Sequence, residues 1–441
     1  MKLPQLEKNA YLAIYVSNGS INAHLMYADY NSGRNYTLSD TTLLDFHNSE
    51  IEDGRFWKQY LDELAKKFNW EILRGKELIN FAAEGVGVSA LTVFINENGL
   101  DSNKVIEGMR EVCLSVSFEI ISEKYIEKQL EAFSKKDGWD DIFMVNLDLF
   151  EFTLKRYTKD EQRKTLQNEN THGMYESSKV SWLSKENLIN NIKNTKLKAF
   201  LAFDCPDMKR ENLWANFVLN PSLKTDSPII TDVLRSYITV QLLSILNENK
   251  GKYLDCGYKG KTLVVLSGNI SNENYKKFLI SVLDGLEARG DLSILVDKGS
   301  KFLTLGSKYI KGIENDEFVV GKMDIYGEMY KAYVCEGVRG SGKSVILTGK
   351  IESSLEESKD IFALYPEFTY VPLNYDSAFV KCKLVKGAYF GNKEKEFEIK
   401  NVIGEIRYKG LIIDGRKKPV VYGPSILKNR SKMNEWLDEN N

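Results

Sequence analysis

The sequence predicts an α/β fold with two lobes over residues 1–312, followed by a mostly β domain over residues 313–441. Two strand–turn–strand units, at residues 11–27 and 142–157, indicate that both lobes open in the same way. A third block, residues 262–306, continues the second lobe as strand, loop, helix and strand. Beyond this block helical periodicity stops and short β-like runs separated by turn residues take over. We therefore expect a separate all-β domain at the C-terminus.

The elements of the first lobe are predicted from hydrophobic periodicity. Residues 11–28 carry apolar side chains at every second position on both sides of a Ser-Asn-Gly-Ser turn, and Asn-Gly readily adopts the positive φ of a hairpin. Residues 55–73 repeat apolar side chains at helical spacing. The same criteria predict the remaining elements in order: strands at 78–81 and 86–95, a helix at 103–117, a strand at 118–122 and a helix at 123–135.

The second lobe begins with hydrophobic runs that predict strands at 142–147 and 150–157. Residues 158–195 are polar, and both an insertion and a hairpin with a short helix remain open for them. Residues 227–247 form a long amphipathic pattern that predicts a helix. The other predictions are strands at 198–203, 262–267, 292–296 and 302–305, a helix at 272–289, eight β-like runs in the C-terminal domain and a helix at 425–437.

The composition excludes several classes of protein. Lys and Arg number 60 against 62 Asp and Glu, so the net charge of −2 gives no reason to expect nucleic acid or an anionic membrane as a partner. The longest apolar runs are well short of a bilayer span. The five cysteines are scattered without a CxxC pair and the three histidines lack ligand spacing. We therefore expect a reduced, cytoplasmic protein without a metal site.

The order of these elements resembles that of the actin and seventy-kilodalton heat-shock superfamily of sugar-kinase-like ATPases, over about residues 9–312. The resemblance implies a two-lobed actin-like ATPase fold with ATP and Mg²⁺ as cofactors, bound by three turns that follow hydrophobic strands. It also implies a connecting helix at Glu123 and a final strand that turns at Gly306 into a helix. The residues that it assigns to nucleotide binding are Ser17, Asn18, Gly19, Ser20, Asn146, Asp148, Ser267, Gly268 and Asn269.

The first two of these turns differ from the family's pattern at the positions of its metal-binding carboxylates and phosphate-binding glycines. Tyr15 or Val16 stands where the first phosphate loop has an Asp, and Asn146 stands where the second has one. Leu149 and Phe150 stand where glycines would let a phosphate approach the backbone. Because Mg²⁺ requires carboxylates or ordered water, we expect weak or no ATP hydrolysis and assign no catalytic residue.

Residues 337–344, with the sequence GVRGSGKS, match the phosphate-binding motif G-x-x-x-x-G-K-S. In that motif Lys343 would contact the outer phosphate oxygens and Ser344 would bind Mg²⁺, with Asp414 as a candidate second carboxylate. The motif must open a helix, whereas Ser344 is followed by a β-branched run. We therefore predict a β-hairpin with a glycine-rich connection, and a P-loop nucleotide-binding protein is the lowest-ranked alternative.

Two functions fit these predictions better. The first is a cytoplasmic actin-like assembly or scaffold protein that binds a protein partner through its β domain or associates with itself. The second is a heat-shock-seventy-like chaperone, in which ATP controls peptide binding by the β domain. Such a chaperone requires a long helical lid after the β domain, and only residues 425–437 are available for it, which favours the first function.

Overall fold

The computed structural model describes most of the residues of the chain. They are 11–17, 19–29, 34–43, 51–72, 90–97, 100–112, 116–147, 151–159, 174–181, 195–219, 227–248, 256–257, 260–268, 275–305, 327–335, 343–353, 358–373, 378–385, 387–388, 396–401, 408–416, 420 and 425–437.

The first lobe is a sheet covered on one side by helices. Its elements are β1 (Tyr11–Ser17), β2 (Ser20–Asp29), β3 (Arg34–Leu43), α1 (Gly54–Ile72), β4 (Ala90–Asn96), α2 (Ser102–Arg110) and β5 (Val116–Ile121). The strand order is β3-β2-β1-β4-β5, with β2 antiparallel to β1 and to β3, and β4 and β5 parallel to β1. Ser17 pairs with Ser20, and Gly19 has a φ of 94°, so the predicted two-residue hairpin turn is present.

The second lobe repeats this arrangement. Its elements are α3 (Glu123–Asp137), β6 (Asp141–Leu147), β7 (Glu151–Thr158), β8 (Met174–Ser181), α4 (Thr195–Phe200), α5 (Asp207–Leu219), α6 (Pro228–Glu248), β9 (Thr262–Gly268), α7 (Tyr275–Gly285), β10 (Gly290–Lys298) and α8 (Lys301–Leu305). The order β8-β7-β6-β9-β10 has the same strand directions as the first sheet. The two lobes are therefore copies of one topology.

A hydrophobic cluster joins the two sheets. It includes Tyr15 of β1, Met144 of β6 and Leu295 of β10, together with Phe302 of α8. Phe302 stacks on Phe133 of α3, with 4.4 Å between the ring centroids. We call the sides of the two sheets that face this cluster the inner faces. The opposite sides pack on α1 and α2 in the first lobe and on α6 and α7 in the second.

The C-terminal region is rich in strands, as predicted. Three of them, β11 (Glu328–Val334), β14 (Phe368–Pro372) and β17 (Tyr408–Asp414), extend the sheet of the second lobe beyond β10. The others, β12 (Ser344–Ser353), β13 (Lys359–Tyr365), β15 (Ala378–Leu384) and β16 (Glu396–Asn401), form an antiparallel sheet in the order β13-β12-β15-β16. Helix α9 (Ile426–Leu437) follows. The predicted fold class is confirmed, whereas the boundary between residues 312 and 313 stays a prediction.

A buried arginine fixes the C-terminal region to the second lobe. The guanidinium of Arg416 donates two hydrogen bonds to Asp284 of α7 and two to Asp414 of β17, at 2.8–3.1 Å. It also lies 4.7 Å from the ring centroid of Trp436 in α9 and 5.3 Å from that of Phe368 in β14. The C-terminal region therefore packs on the second lobe through a common buried core and is not joined to it by a linker alone.

Two predicted strands are helices in the structure. The strand expected at 198–203 is wrong, because Leu197, Phe200 and Leu201 have the i, i+3, i+4 spacing of a helix and are buried. The strand expected at 302–305 is also wrong. Helix α8 occupies these residues, and the backbone amides of Lys301 and Phe302 donate to the Asp297 carboxylate at its start.

Other predictions need smaller changes or lie outside the description. The helix predicted at 103–117 ends at Arg110, because β5 begins to pair with β4 at Val116. Residues 78–81 lie outside the described residues, and β8 occupies part of the undecided segment 158–195. Helix α6 has the length and mean hydropathy of a membrane span, but 67% of its apolar window is buried inside the protein, as in a core helix.

Candidate functional site

The β1–β2 turn brings together two predicted nucleotide-binding hydroxyls. Ser17 Oγ and Ser20 Oγ lie 2.8 Å apart, and both side chains are buried. Ser17 is in step with Tyr15 along β1 and therefore lies on the inner face. Gly19 forms the turn, and Asn18 lies outside the described residues. The two hydroxyls thus bond to each other within the first lobe.

Asn96 is a site residue that the sequence prediction missed. It ends β4, directly beside β1, and its Nδ2 donates to the Tyr15 hydroxyl at 3.1 Å. Both side chains are buried. Its signal in the sequence is a polar residue that closes a hydrophobic strand, which is where ligands bind in α/β sheets.

The inner face of the second lobe carries a polar row across four adjacent strands. Asn146 of β6 pairs in register with Thr153 of β7 on one side and with Ser267 of β9 on the other, and Ser267 pairs with Asp297 of β10. Register partners point to the same side of a sheet, and Asn146 is in step with Met144 of the central cluster. We call Thr153, Asn146, Ser267 and Asp297 the polar row. Asn146 and Ser267 were predicted as site residues, whereas Thr153 and Asp297 were not.

Three members of the polar row have a buried polar atom without a hydrogen-bond partner among the described residues, and Asp297 Oδ1 is one of them. The other two atoms are Asn146 Oδ1 and Thr153 Oγ1. Asn146 is 8% exposed and Thr153 is 3% exposed. A buried polar atom of this kind destabilises a fold by about 1–3 kcal/mol unless another group bonds it.

The Asp297 carboxyl forms the other end of the row. It is buried, and Oδ2 accepts a hydrogen bond from Ser267 Oγ at 2.7 Å. Burial raises the pKa of Asp297 to about 7, although the Ser267 hydroxyl and the amides of Phe302 and Lys301 oppose the rise. Near neutral pH the carboxyl is therefore present in both protonation states and can donate or accept.

The backbone structure requires a glycine at position 268 whether or not a ligand binds there. Its φ is 110°, and a Cβ at this position would overlap the backbone carbonyl of Leu147 on the neighbouring strand. The interpretation that this glycine opens space for a base or sugar is therefore not required. Asp148 and Asn269, the remaining predicted residues of these two turns, lie outside the described residues.

The turn after β10 is held against the first lobe. His24 Nε2 donates to the Gly299 carbonyl at 2.6 Å, and Nδ1 accepts from Ser39 Oγ at 3.0 Å, because a carbonyl can only accept. Burial and the nearby Lys301 lower the pKa of His24 to about 3, so the ring is neutral. A Cβ on Gly299 would lie 3.1 Å from His24. This turn therefore contacts the first lobe, whereas Gly306, where the resemblance implies a turn into a helix, lies outside the described residues.

Helix α3 connects the lobes and begins at Glu123, where the resemblance places it. The Glu123 carboxylate pairs with the buried Lys155 ammonium and accepts a hydrogen bond from the Tyr175 hydroxyl. Two residues later, the Tyr125 hydroxyl donates to the carbonyl of Leu303 in α8 at 2.9 Å. The two helices that follow the last strand of each topology copy therefore contact each other between the lobes.

Only Lys343 and Ser344 of the P-loop motif lie within the described residues, and a strand rather than a helix follows them. Ser344 begins strand β12, and the predicted β character after the motif is confirmed. The predicted hairpin is wrong, because β11 and β12 lie in different sheets. Lys343 forms ion pairs with Glu367 and with Glu435 of α9, which raise its pKa.

The implied Mg²⁺ does not fit the residues at the expected positions. Tyr15, Val16 and Asn146 occupy the places of the family's carboxylates, and the polar row contributes one carboxyl group, Asp297. Within the described part of the chain, no group of three His, Cys, Asp or Glu side chains could hold a metal. We therefore derive no metal-dependent step.

Comparisons with known proteins support only a distant likeness. No family model matches the sequence, and no curated protein matches it either. A Bacteroides thetaiotaomicron protein described as having an actin-like ATPase fold and unknown function is 6% identical, with 71% of this chain and 99% of that one covered at a TM-score of 0.32. The ethanolamine utilization protein EutJ from Carboxydothermus hydrogenoformans is 12% identical, with coverages of 69% and 90% and a TM-score of 0.35.

A third solved structure is the Ppx/GppA family member of Aquifex aeolicus. It is 11% identical, with 58% of this chain and 66% of that one covered at a TM-score of 0.28. Because all three scores are low, the evidence for the fold is the strand order. The chain consists of two copies of one five-stranded α/β topology with facing inner sides, followed by a β-rich region, and it has the actin-like ATPase fold.

Proposed function

We propose that this chain is an actin-like assembly or scaffold protein. In this proposal it binds a nucleotide between its lobes, hydrolyses it weakly or not at all, and binds a protein partner through its β-rich region. The polar row carries the nucleotide half of the proposal, because Asn146 Oδ1 and Thr153 Oγ1 are buried without partners among the described residues. A ligand that donates hydrogen bonds there would offset their desolvation.

The position of the polar row supports a ligand between the lobes. It lies at or near the carboxyl ends of the parallel strands β6, β9 and β10, where ligands bind in α/β sheets. Ser17 and Asn96 lie at the carboxyl ends of the parallel strands β1 and β4. Both lie on the inner face of the first lobe, because they are in step with Tyr15 and Phe94 of the central cluster. Ribose hydroxyls or a base amino group would supply the donors that Asn146 Oδ1 lacks.

Weak hydrolysis follows from the same residues. Efficient phosphoryl transfer to water requires charge stabilisation by a metal or by fixed cations, and the carboxylates that would hold Mg²⁺ are replaced. Asp297 is a poor substitute, because burial keeps a large fraction of it protonated near pH 7.

The alternatives have less support. The strands β11, β14 and β17 belong to the sheet of the second lobe, so a freely moving peptide-binding domain, as in the chaperone alternative, has no observation in its favour. The ion pairs of Lys343 argue against the P-loop alternative. A cytoplasmic location remains part of the proposal, and it suits four buried free cysteines within the described residues.

The test is a thermal-shift and calorimetric titration with ATP, ADP and a non-hydrolysable ATP analogue, with and without Mg²⁺. We expect nucleotide to raise the melting temperature of the parent protein, since a ligand that binds the native state stabilises it. Thr153→Val keeps the shape of the side chain and should reduce this shift. Ser293→Ala is the matched control, because Ser293 lies on the same face of β10 but four residues before Asp297.

No nucleotide response in the parent protein would contradict the nucleotide half of the proposal. An equal response in Thr153→Val and Ser293→Ala would place the ligand away from the polar row.

A further inference from the structure

The polar row offers three buried oxygen atoms to a ligand. Asn146 Oδ1, Thr153 Oγ1 and Asp297 Oδ1 have no hydrogen-bond partner among the described residues, and each of these side chains is more than nine-tenths buried. Ser267 lies between Asn146 and Asp297 and already donates to Asp297 Oδ2. A ligand that bonds all three oxygen atoms would therefore offset the desolvation of the whole row.

The three oxygen atoms differ in what they can bond. The amide oxygen of Asn146 can only accept, whereas the Thr153 hydroxyl can donate and accept. The Asp297 carboxyl accepts when it is ionised and donates when it is protonated. Burial raises its pKa to about 7, so both forms are present near neutral pH. A ligand hydroxyl group both donates and accepts, so it matches each of the three residues and both forms of Asp297.

One hydroxyl group can bond two members of the row at once. Asn146 and Thr153 are register partners on antiparallel strands, so their Cβ atoms lie about 4.5–5.5 Å apart. A hydroxyl group between them can donate to Asn146 Oδ1 and accept from Thr153. Asp297 lies two strands beyond Asn146, about 10 Å away by the spacing of strands, and requires a second hydroxyl group. With hydrogen bonds of about 2.8 Å at both ends, the two hydroxyl oxygens would be about 4–5 Å apart, as they are across a sugar ring.

Phosphate groups do not match the row. An ionised phosphate oxygen accepts hydrogen bonds and would leave the amide oxygen of the row unbonded. The ammonium of Lys301 in α8 attracts the Asp297 carboxylate, but burial outweighs this attraction, because the pKa of Asp297 is raised. Lys155 lies on the inner face of β7, and its ammonium is paired with the Glu123 carboxylate. The charges of the described residues therefore favour an uncharged group at the row.

We propose that the polar row binds the hydroxyl groups of a sugar ring and not the phosphates of the ligand. One hydroxyl group bridges Asn146 and Thr153, and another bonds Asp297. This inference rests on the nucleotide half of the proposed function and assigns the ribose of the nucleotide to the row. A free sugar carries the same hydroxyl chemistry, so the experiment separates the two sources.

The experiment is calorimetric titration of the full-length protein with uncharged and charged probes. The uncharged probes are adenosine, dideoxyadenosine without the two ring hydroxyl groups, ribose and glucose. The charged probe is sodium tripolyphosphate, which carries phosphates without a sugar. We expect adenosine to bind about tenfold more tightly than dideoxyadenosine, because a buried oxygen atom that loses its donor weakens the complex. Tripolyphosphate should not compete with adenosine.

Two variants test whether the preference for adenosine arises at the row. Thr153→Val keeps the shape of the side chain but cannot donate to the bridging hydroxyl group, so the ratio of the two affinities should fall to about threefold or less. Ser293→Ala is the matched control, since Ser293 lies on the same face of β10 but four residues before Asp297, and its ratio should stay about tenfold. Melting temperatures without ligand verify that both variants are folded.

Four results would overturn the inference. They are no binding of any uncharged probe, equal binding of adenosine and dideoxyadenosine by the parent protein, the same affinity ratio in Thr153→Val and Ser293→Ala, and displacement of adenosine by tripolyphosphate. Binding of ribose or glucose that weakens in Thr153→Val would support the inference and identify a free sugar as the source.

The ATP-dependent thermal shift is measured on the same samples. If ATP raises the melting temperature but the two nucleosides bind equally, only this inference is lost. If a free sugar binds at the row while ATP and adenosine do not bind, only the nucleotide half of the proposed function is lost.

Discussion

The two lobes share one strand order but treat their polar groups differently. In the first lobe the Ser17 and Ser20 hydroxyls bond each other across the hairpin turn. In the second lobe Asn146 Oδ1 and Thr153 Oγ1 have no partner among the described residues. The same topology therefore gives one inner face whose polar groups are satisfied internally and one with bonding capacity left over. Strand order alone does not determine where a ligand binds.

The connections explain part of this difference. Ser17 pairs with Ser20, so two residues join β1 to β2, whereas three residues lie between the end of β6 at Leu147 and the start of β7 at Glu151. A two-residue turn holds the flanking side chains close enough to bond each other. Asn146 and Thr153 also lie opposite each other, but their Oδ1 and Oγ1 atoms have no hydrogen-bond partner among the described residues.

The largest expected loss of stability concerns the C-terminal region, which packs on the second lobe through Arg416. Arg416→Met leaves Asp284 and Asp414 buried without their guanidinium, so we expect a loss of about 3–5 kcal/mol in the free energy of unfolding. Urea denaturation measures it. The control is Arg55→Met in the first lobe, whose ion pair with Asp53 is exposed and should matter little. Equal stabilities of the two variants would show that the contacts of Arg416 with Asp284 and Asp414 do not stabilise the protein.

Each lobe contains a buried titratable group, His24 in the first and Asp297 in the second, and the two groups change the free energy of unfolding with pH in opposite directions. Burial lowers the pKa of His24 to about 3 from 6.5, so the unfolded chain binds its proton first and stability falls as pH drops below about 6.5. Burial raises the pKa of Asp297 to about 7 from 3.8, so the folded chain binds that proton first and stability falls as pH rises above about 4. Between about pH 4 and 6.5 the two contributions oppose each other.

Single variants should reveal each slope. Asp297→Asn leaves the His24 contribution, so stability should rise by about 1.4 kcal/mol per pH unit in this window relative to the parent protein. His24→Gln leaves the Asp297 contribution and should show the reverse slope. Denaturation series at several pH values measure both. If neither variant changes the slope of the parent protein, the two groups are not buried as described.

A smaller effect is expected for the glycine that closes β9 in the second lobe. Gly268→Ala combines an unfavourable φ, about 1–2 kcal/mol, with an overlap on the Leu147 backbone, about 1–3 kcal/mol. Gly138→Ala is the control, because its φ is 69° but a Cβ there meets nothing within 4 Å. Thermal and urea unfolding should rank Gly268→Ala as the less stable variant. The reverse ranking would mean that the β6–β9 contact is looser than the structure shows.

The smallest effect compares the two inner faces directly. Ser17→Ala removes a hydroxyl that is bonded to Ser20 and should lower the free energy of unfolding by about 1 kcal/mol. Thr153→Val removes a buried hydroxyl without a partner and should raise it by about 1 kcal/mol in the absence of ligand. Opposite signs in one unfolding assay would confirm the comparison, and two losses of similar size would break it.

Local sequence patterns determined much of the fold. The alternation around Asn18 and Gly19 specifies a hairpin, since an alternating strand needs only its own side chains and a turn residue with positive φ. Residues 55–73 specify α1 in the same way, because helical spacing places Trp57 and Leu61 on one buried side. The β-branched residues after Ser344 correctly excluded a P-loop helix. The local sequence does not determine whether a short apolar run such as 302–305 forms a helix or a strand, because the two patterns coincide over so few residues.

The polar row was decided only by tertiary structure. Asn146, Ser267 and Asp297 come from three strands far apart in the chain, and parallel pairing through crossover helices sets them side by side. The resemblance to the family's nucleotide-binding turns named Asn146 and Ser267 but not Asp297 or Thr153, although all four residues lie within strands. Burial then raises the pKa of Asp297 and excludes solvent from Asn146 Oδ1, because the dielectric environment of a side chain depends on everything that packs around it.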